Sequence, residues 1–291
     1  MRDAFANLFL CGPLIITAAI TTGNAKTRPE AAGALPIRSL TITVISGRPV
    51  VDGVYLNGQG PFLFLIDTGA QTNQLEAAIA RSMSLKPAFR SEIATIAGRA
   101  LVPGGRMAKV TLGTAAAVDQ EFLFTSMDTV HQLLPGVQGI IGQEFLSRFD
   151  YLLDFSGRRI LFGAEETEGG DRVDLSLVDG LPAVDTDKGK LVLDSGTDVA
   201  IFYAASAEQS GARLITASGS SPISRARDRN IRVAGRSYSP VTASVPRPLT
   251  QDLRGDGLLP ASVFRAVYVS NSAKYLVLDP RHVQPSAIRT N

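Results

Sequence analysis

Five apolar residues run straight into an acid at Phe62-Leu-Phe-Leu-Ile-Asp67-Thr68-Gly69-Ala70. Such a run reads as a buried strand, and a carboxylate at its end is costly to bury without partners. Thr68 offers a hydroxyl, and Gly69 lets the backbone turn tightly beneath the acid. The pattern returns at Leu191-Val-Leu-Asp194-Ser195-Gly196-Thr197. Two acids delivered in the same way constrain the chain to two similar units that build one active site between them.

The rest of the sequence repeats around these anchors. Leu75 and Phe202 each stand eight residues after their acid. Gly113 and Gly235 each close a later strand, and an apolar pair flagged by glycine follows in both halves: Gly139-Ile140-Ile141-Gly142 and Gly257-Leu258-Leu259-Pro260. A helical stretch and a last strand then close each unit. This plan implies pseudo-two-fold symmetry with both acid loops on the axis. Within the first unit, Asn57-Gly58 predicts a hairpin turn. Asn73-x-x-Glu76 predicts a capped helix over Ala77–Arg81. Ile93 to Val102 predicts a hairpin with Ala97-Gly98 at its tip.

Composition sets the class. Val, Ile, Thr, 27 Gly and 16 Pro in a 291-residue chain, with few helical patterns, predict an all-β fold. A net charge of +2 gives no reason to expect nucleic acid or an anionic membrane as partner. Arg2, the apolar stretch from Leu8 to Ile20 and the small residues Gly23-Asn24-Ala25 predict a signal peptide over 1–25, hence a secreted or periplasmic protein with no stable membrane association after cleavage. The only cysteine, Cys11, lies inside that leader. The domain plan is a disordered lead over 26–37, a first lobe over 38–164, an acidic, glycine-rich linker over 165–174 and a second lobe over 175–285.

The two acid-hydroxyl-glycine loops and the apolar elements paired with them resemble the aspartic peptidases of the pepsin and retropepsin superfamily. The resemblance spans roughly Leu40 to Pro280. It implies two β-rich lobes with a cleft between them, short helices, and Asp67 and Asp194 as a water-activating pair. Thr68, Gly69, Ser195, Gly196 and Thr197 would support the loops. Ile140, Ile141, Gly142, Leu258 and Leu259 would pack beneath them, and Ala97-Gly98 would be the flap. Three positions depart from the pattern. Pro260 stands where glycine is usual, no tyrosine precedes Gly139 in the flap region, and Ala70 follows the first glycine where Thr197 follows the second. A Thr197 hydroxyl bonded to Asp194 would stabilise its ionised form, and the missing hydroxyl at Ala70 would leave Asp67 with a raised pKa. The expected pH optimum is acidic, yet less so than in a relative with both hydroxyls. Asp198 is a nearby charge that would also raise the pair.

The functional expectation is a monomeric aspartic endopeptidase acting on peptides or proteins, with no cofactor and no metal. The chain has two histidines, none at metal spacing, and no Gly-x-Ser-x-Gly. Two alternatives stand beside it. One is a catalytically silent peptide-binding protein that keeps the cleft. The other is a carboxylate-pair glycosidase, which needs carboxyls about 5–5.5 Å apart or more and usually aromatic platforms, in a chain with no Trp.

Overall fold

The computed structural model describes residues 10–12, 14–15, 39–95, 98–164, 167–204, 212–216, 219–225, 230–246 and 254–283. Strand makes up 59% of the structure and helix 8%, so the all-β expectation holds. The alternation of buried and exposed residues along Arg48–Leu56 and Ala115–Thr125 is that of strands with one face on a core. The helices among the described residues are short, the longest being Ala77–Ser82. No helix among the described residues is long and apolar enough to cross a membrane.

The strand order repeats. In the first half, Arg48–Leu56 pairs with Gln59–Ile66, and the order continues through Gly139–Ile141, Asn73–Glu76, Ala115–Thr125 and Gly98–Leu112 to Phe89–Thr95. In the second, Leu181–Thr186 pairs with Gly189–Asp194. The order there runs on through Gly257–Pro260, Ala200–Ala204, Thr242–Pro246 and Gly219–Arg225 to Ala212–Thr216. In both, the strand carrying the acid lies parallel to the apolar-pair strand, and that strand lies antiparallel to the next. The eighth residue after each acid meets an equivalent partner, Leu75 opposite Gly139 and Phe202 opposite Gly257.

A third group of strands joins the halves. Ser39–Ile45, Arg159–Phe162 and Tyr151–Asp154 run in order into Ala266–Ser270, Tyr275–Leu278 and Asp171–Asp174. At its centre Tyr151–Asp154 lies antiparallel to Ala266–Ser270, with Leu152 opposite Tyr268 and Leu153 opposite Val267. The halves share this floor, and the largest core cluster is continuous across it, taking in Phe64, Phe162, Leu193, Leu259 and Phe264.

Several local expectations change. The stretch 165–174 is not simply a linker: Asp171–Asp174 is the floor's edge strand, with Arg172 stacked 3.6 Å over the Tyr275 ring. Asn73–Glu76 is strand, and no side chain caps the helix that follows. Asn73 is drawn inward instead, onto Gly142 and Glu121. The hairpin around residues 93–102 is present as Phe89–Thr95 and Gly98–Leu112, while Ala97 lies outside the described residues. Asn57 and Gly58 both take positive φ, as the two-residue turn requires. In the leader, Leu10–Gly12 and Leu14–Ile15 are described as short strands, and the lead at 26–37 lies outside the described residues.

Candidate active site

Each acid emerges where its strand is most enclosed. Burial deepens along Gln59–Ile66 toward Asp67, and along Gly189–Asp194 toward its own terminal acid. Asp67 is 3% exposed and Asp194 is fully buried. Each carboxylate bends back over its glycine. The N–H of Gly69 donates to Asp67 Oδ1 at 2.9 Å, and that of Gly196 to Asp194 Oδ1 at 2.7 Å.

Four hydrogen bonds knit the loops across the axis. Thr68 Oγ1 donates to the Leu193 carbonyl at 2.7 Å and accepts from the Ser195 N–H at 2.9 Å. Ser195 Oγ donates to the Ile66 carbonyl at 2.7 Å and accepts from the Thr68 N–H at 3.0 Å. Each hydroxyl thereby satisfies two buried backbone groups of the other lobe, which would otherwise be left unpaired at about 1–3 kcal/mol each. The glycines are there for space. A Cβ on Gly69 would sit on the Asp194 carboxyl, and one on Gly196 on the Asp67 carboxyl.

The carboxyls are within hydrogen-bonding reach of each other, and both pKa values are pushed up. Burial is the main cause for each. For Asp67, hydrogen bonds from Asp194 and the Gly69 N–H and the charge of Arg48 pull back, leaving it at about 6. For Asp194, the charge of Asp67 adds to burial, and its pKa stays well above the usual carboxylate range. Asp194 Oδ2 is buried without a protein hydrogen-bond partner. Burial thus favours the protonated form of both acids, and the Asp67 charge adds to this at Asp194. This reverses the expectation drawn from the hydroxyls. Thr197 Oγ1 does not reach Asp194; it donates to the Val199 carbonyl at 3.1 Å and accepts the Val199 N–H. Burial, not a missing hydroxyl, sets the pair.

The apolar elements lie beneath the loops. Ile140 and Ile141 pair with Leu65 and Ile66, and the Ile141 carbonyl accepts the Asp67 N–H at 2.9 Å. Gly142 donates to Asn73 Oδ1 at 3.1 Å, and Gln143 Nε2 donates to the Thr68 carbonyl at 2.9 Å. Leu258, Leu259 and Pro260 pair with Val192, Leu193 and Asp194, all buried. Pro260 removes a donor at the position of Gly142. The residue in the place of Asn73, the acceptor for that donor in the first lobe, is Ala200. Donor and acceptor are lost together, so the second lobe leaves nothing unpaired there.

Arg48 escaped the sequence reading. It is 1% exposed; its Nε donates to the Gly196 carbonyl at 2.9 Å and its Nη2 pairs with Asp198 at 2.5 Å. Asp198 is thus ion-paired, and Arg48 lowers the pKa values of both loop acids. In the pseudo-symmetric place of Asp198 stands Gln71, whose Nε2 donates to the Asp179 carbonyl at 2.5 Å. The only signal in the sequence was a cation at the head of a strand otherwise rich in apolar residues, which nothing distinguished from a surface turn. Among the second-lobe arginines described, Arg232 lies near Asp187 and Arg236 on Asp171. His131 is bonded to the Val137 carbonyl.

Residues 53–148, about a third of the chain, match the sequence model of a family described as "gag-polyprotein putative aspartyl protease". Among solved structures, the chain is similar to a retropepsin-like aspartic protease from Rickettsia conorii. The two share 15% identity at a TM-score of 0.33, over 44% of this chain and 90% of that one. No curated protein matches the chain.

Proposed function

We propose, from the likeness of residues 53–148 to a putative aspartyl protease family and from the paired acid loops, that this chain hydrolyses peptide bonds with a water activated by Asp67 and Asp194. The observation that carries the reading is a pair of buried carboxyls, each anchored by its own glycine N–H and each with a raised pKa. Ionised Asp67 takes a proton from water, and the hydroxide formed attacks the peptide carbonyl carbon. Asp194 gives its proton to the carbonyl oxygen, completing a neutral tetrahedral diol. The proton on Asp67 passes to the leaving nitrogen, a diol O–H proton returns to Asp194, and the C–N bond breaks to give the acid and amine products with the pair restored. Carboxyls in hydrogen-bonding contact leave no room for the sugar chemistry, which needs about 5 Å or more between them. Because one chain supplies both acid loops, it works as a monomer. Residues 1–25 direct its export, as the leader composition suggests.

The test is hydrolysis of a mixed fluorogenic peptide library by the wild type and by Asp67→Asn. The wild type should cleave, a statine-type transition-state mimic should block it, and chelators and thiol reagents should not. Hydrolysis that survives in Asp67→Asn places the chemistry elsewhere. Binding of the statine mimic without any cleavage by the wild type leaves the silent peptide-binding protein.

A further inference from the structure

The floor strands have two different faces. Along Tyr151–Asp154, Tyr151 and Leu153 join the core cluster that also holds Leu193 and Leu259 beneath the acid loops. Leu152 belongs to a separate buried cluster with Leu161, Tyr268 and Val277. Successive side chains of a strand alternate between faces, so Asp154 shares the side of Leu152, turned away from Asp67 and Asp194. On that side, at the end where Asp154 lies opposite Ala266, a cavity of about 150 Å³ opens. Arg159, Arg265 and Arg281 line it, together with Asp154 and Ser156. The three arginines come from three separate strand ends and converge there.

The one acid of the cavity is already engaged. Asp154 Oδ1 accepts from Ser156 Oγ at 3.0 Å and from the Gly157 N–H at 2.7 Å, and Oδ2 accepts from Arg159 Nε at 3.0 Å. A Cβ on Gly157 would strike this carboxylate, so the glycine lets the turn close around it. Asp279, two residues before Arg281, is spent elsewhere: its Oδ1 accepts the Arg265 backbone N–H at 2.7 Å and its Oδ2 the Tyr238 hydroxyl at 3.2 Å. The Arg265 and Arg281 guanidiniums have no acid partner among the described residues. Arg281 is nonetheless held in place. Its backbone N–H donates to the Glu168 carbonyl at 2.9 Å, and its stem lies where a Cβ on Gly169 would press.

Like charges around one concavity repel one another. Asp154 offsets Arg159, and two positive charges remain, those of Arg265 and Arg281. Guanidinium forks grip oxyanions through paired N–H···O bonds. A phosphate monoester carries about two negative charges at neutral pH, which closes the balance. The space is about ten times the ~10–15 Å³ that admits one water, room for a phosphate group. We propose that this cavity binds a doubly charged oxyanion, inorganic phosphate or the phosphate of a monoester, between Arg265 and Arg281 with Arg159 and Ser156 at the rim. A carboxylate, with one charge, leaves half of the excess unmatched and is the weaker ligand.

The full chain is titrated by calorimetry with inorganic phosphate, phenyl phosphate and acetate, at one ionic strength held with chloride. Phosphate should bind saturably, one per chain, and acetate much more weakly. Arg265→Gln and Arg281→Gln should each weaken phosphate binding by about tenfold or more, as loss of hydrogen bonds to a charged group does. Arg265→Lys, which keeps the charge and loses the fork, should fall between. Arg232→Gln, at an exposed arginine outside the cavity, should bind as the wild type does, and so should Asp67→Asn, on the opposite face of the floor. Urea midpoints keep a folding defect from being counted as lost binding. Phenyl phosphate binding as tightly as inorganic phosphate supports a monoester as the ligand; phosphate bound with phenyl phosphate excluded supports the free anion. No saturable phosphate binding overturns the site. So does an equal loss in Arg232→Gln or Asp67→Asn, or unchanged affinity in both cavity variants. Acetate binding as tightly as phosphate overturns the assignment of a doubly charged ligand.

Discussion

Asp67→Asn should do two opposite things: abolish hydrolysis and make the fold more stable at neutral pH. The folded state holds a proton on Asp67 up to about pH 6, against an ordinary carboxyl value of 3.8. Between those limits it binds more protons than the unfolded chain, so stability falls as pH rises through the window. Below about 3.8 nothing is lost; above about 6 the full cost is present. At about 1.4 kcal/mol per tenfold in the proton equilibrium, that cost is about 3 kcal/mol. Asparagine removes it. Its Oδ1 can keep the bond from the Gly69 N–H, and its Nδ2 can donate to the otherwise unpartnered Asp194 Oδ2. It also removes the charge that helps raise Asp194. Urea unfolding of both proteins from pH 3.5 to 8 should give curves that meet at the acid end and diverge to about 3 kcal/mol at pH 7, on the order of 6–12 °C in Tm. Most buried substitutions destabilise, so a gain is diagnostic. Parallel curves, or a variant less stable at pH 7, would refute the claim that burial of an ionised Asp67 is a standing cost.

Three further outcomes follow from the same geometry. The kcat/KM profile should rise through an acid limb near pH 6, as Asp67 loses its proton while Asp194 keeps one, placing the optimum near neutrality and not in the acid range; an acid limb below pH 5 would contradict it. Arg48→Met should cost about 3–5 kcal/mol, as breaking a buried pair does, and in whatever folds the acid limb should move upward, since the Arg48 charge lowers both carboxyls. Ala200→Asn should destabilise by about 1–3 kcal/mol because its amide finds no donor beside Pro260; adding Pro260→Gly should recover part of that, and a double-mutant cycle with no coupling would break the argued correspondence with Asn73 and Gly142.

What the sequence made legible was whatever depends on local chain chemistry. An apolar run ending in an acid can only be a buried strand delivering a carboxylate, and glycine beside it can only mean a turn or a close approach. The structure adds that Gly69 and Gly196 are required by the opposite lobe's carboxyl, a contact across more than a hundred residues. The Asn73-x-x-Glu76 pattern misled because a capping signal has a competitor: Asn73 finds a better use in the interior, bonded to Gly142 and Glu121. Asp171–Asp174 read as linker because an edge strand in the floor needs no apolar alternation. Thr197 misled in the same way, since a hydroxyl near an acid can also bond two residues along its own backbone.

The departures from symmetry sit on the same elements as the symmetry itself. Thr68 and Ser195 make matching bonds, and no preference for one acid arises from them. The lobes differ one layer out. On one side a buried arginine holds the second loop through the Gly196 carbonyl and Asp198; on the other, a neutral amide at Gln71 reaches the Asp179 carbonyl. Beneath the first loop a polar pair, Asn73 and Gly142, fixes the strand; beneath the second, Ala200 and Pro260 do so with no polar atom to satisfy. Asp67 therefore keeps 3% exposure and polar neighbours, while Asp194 is fully enclosed against proline and leucine. The two acids therefore sit in chemically different surroundings on a symmetric pair of loops. A dimer of identical subunits has to break this equivalence anew each time a substrate binds, whereas here the duplication has written it into the chain.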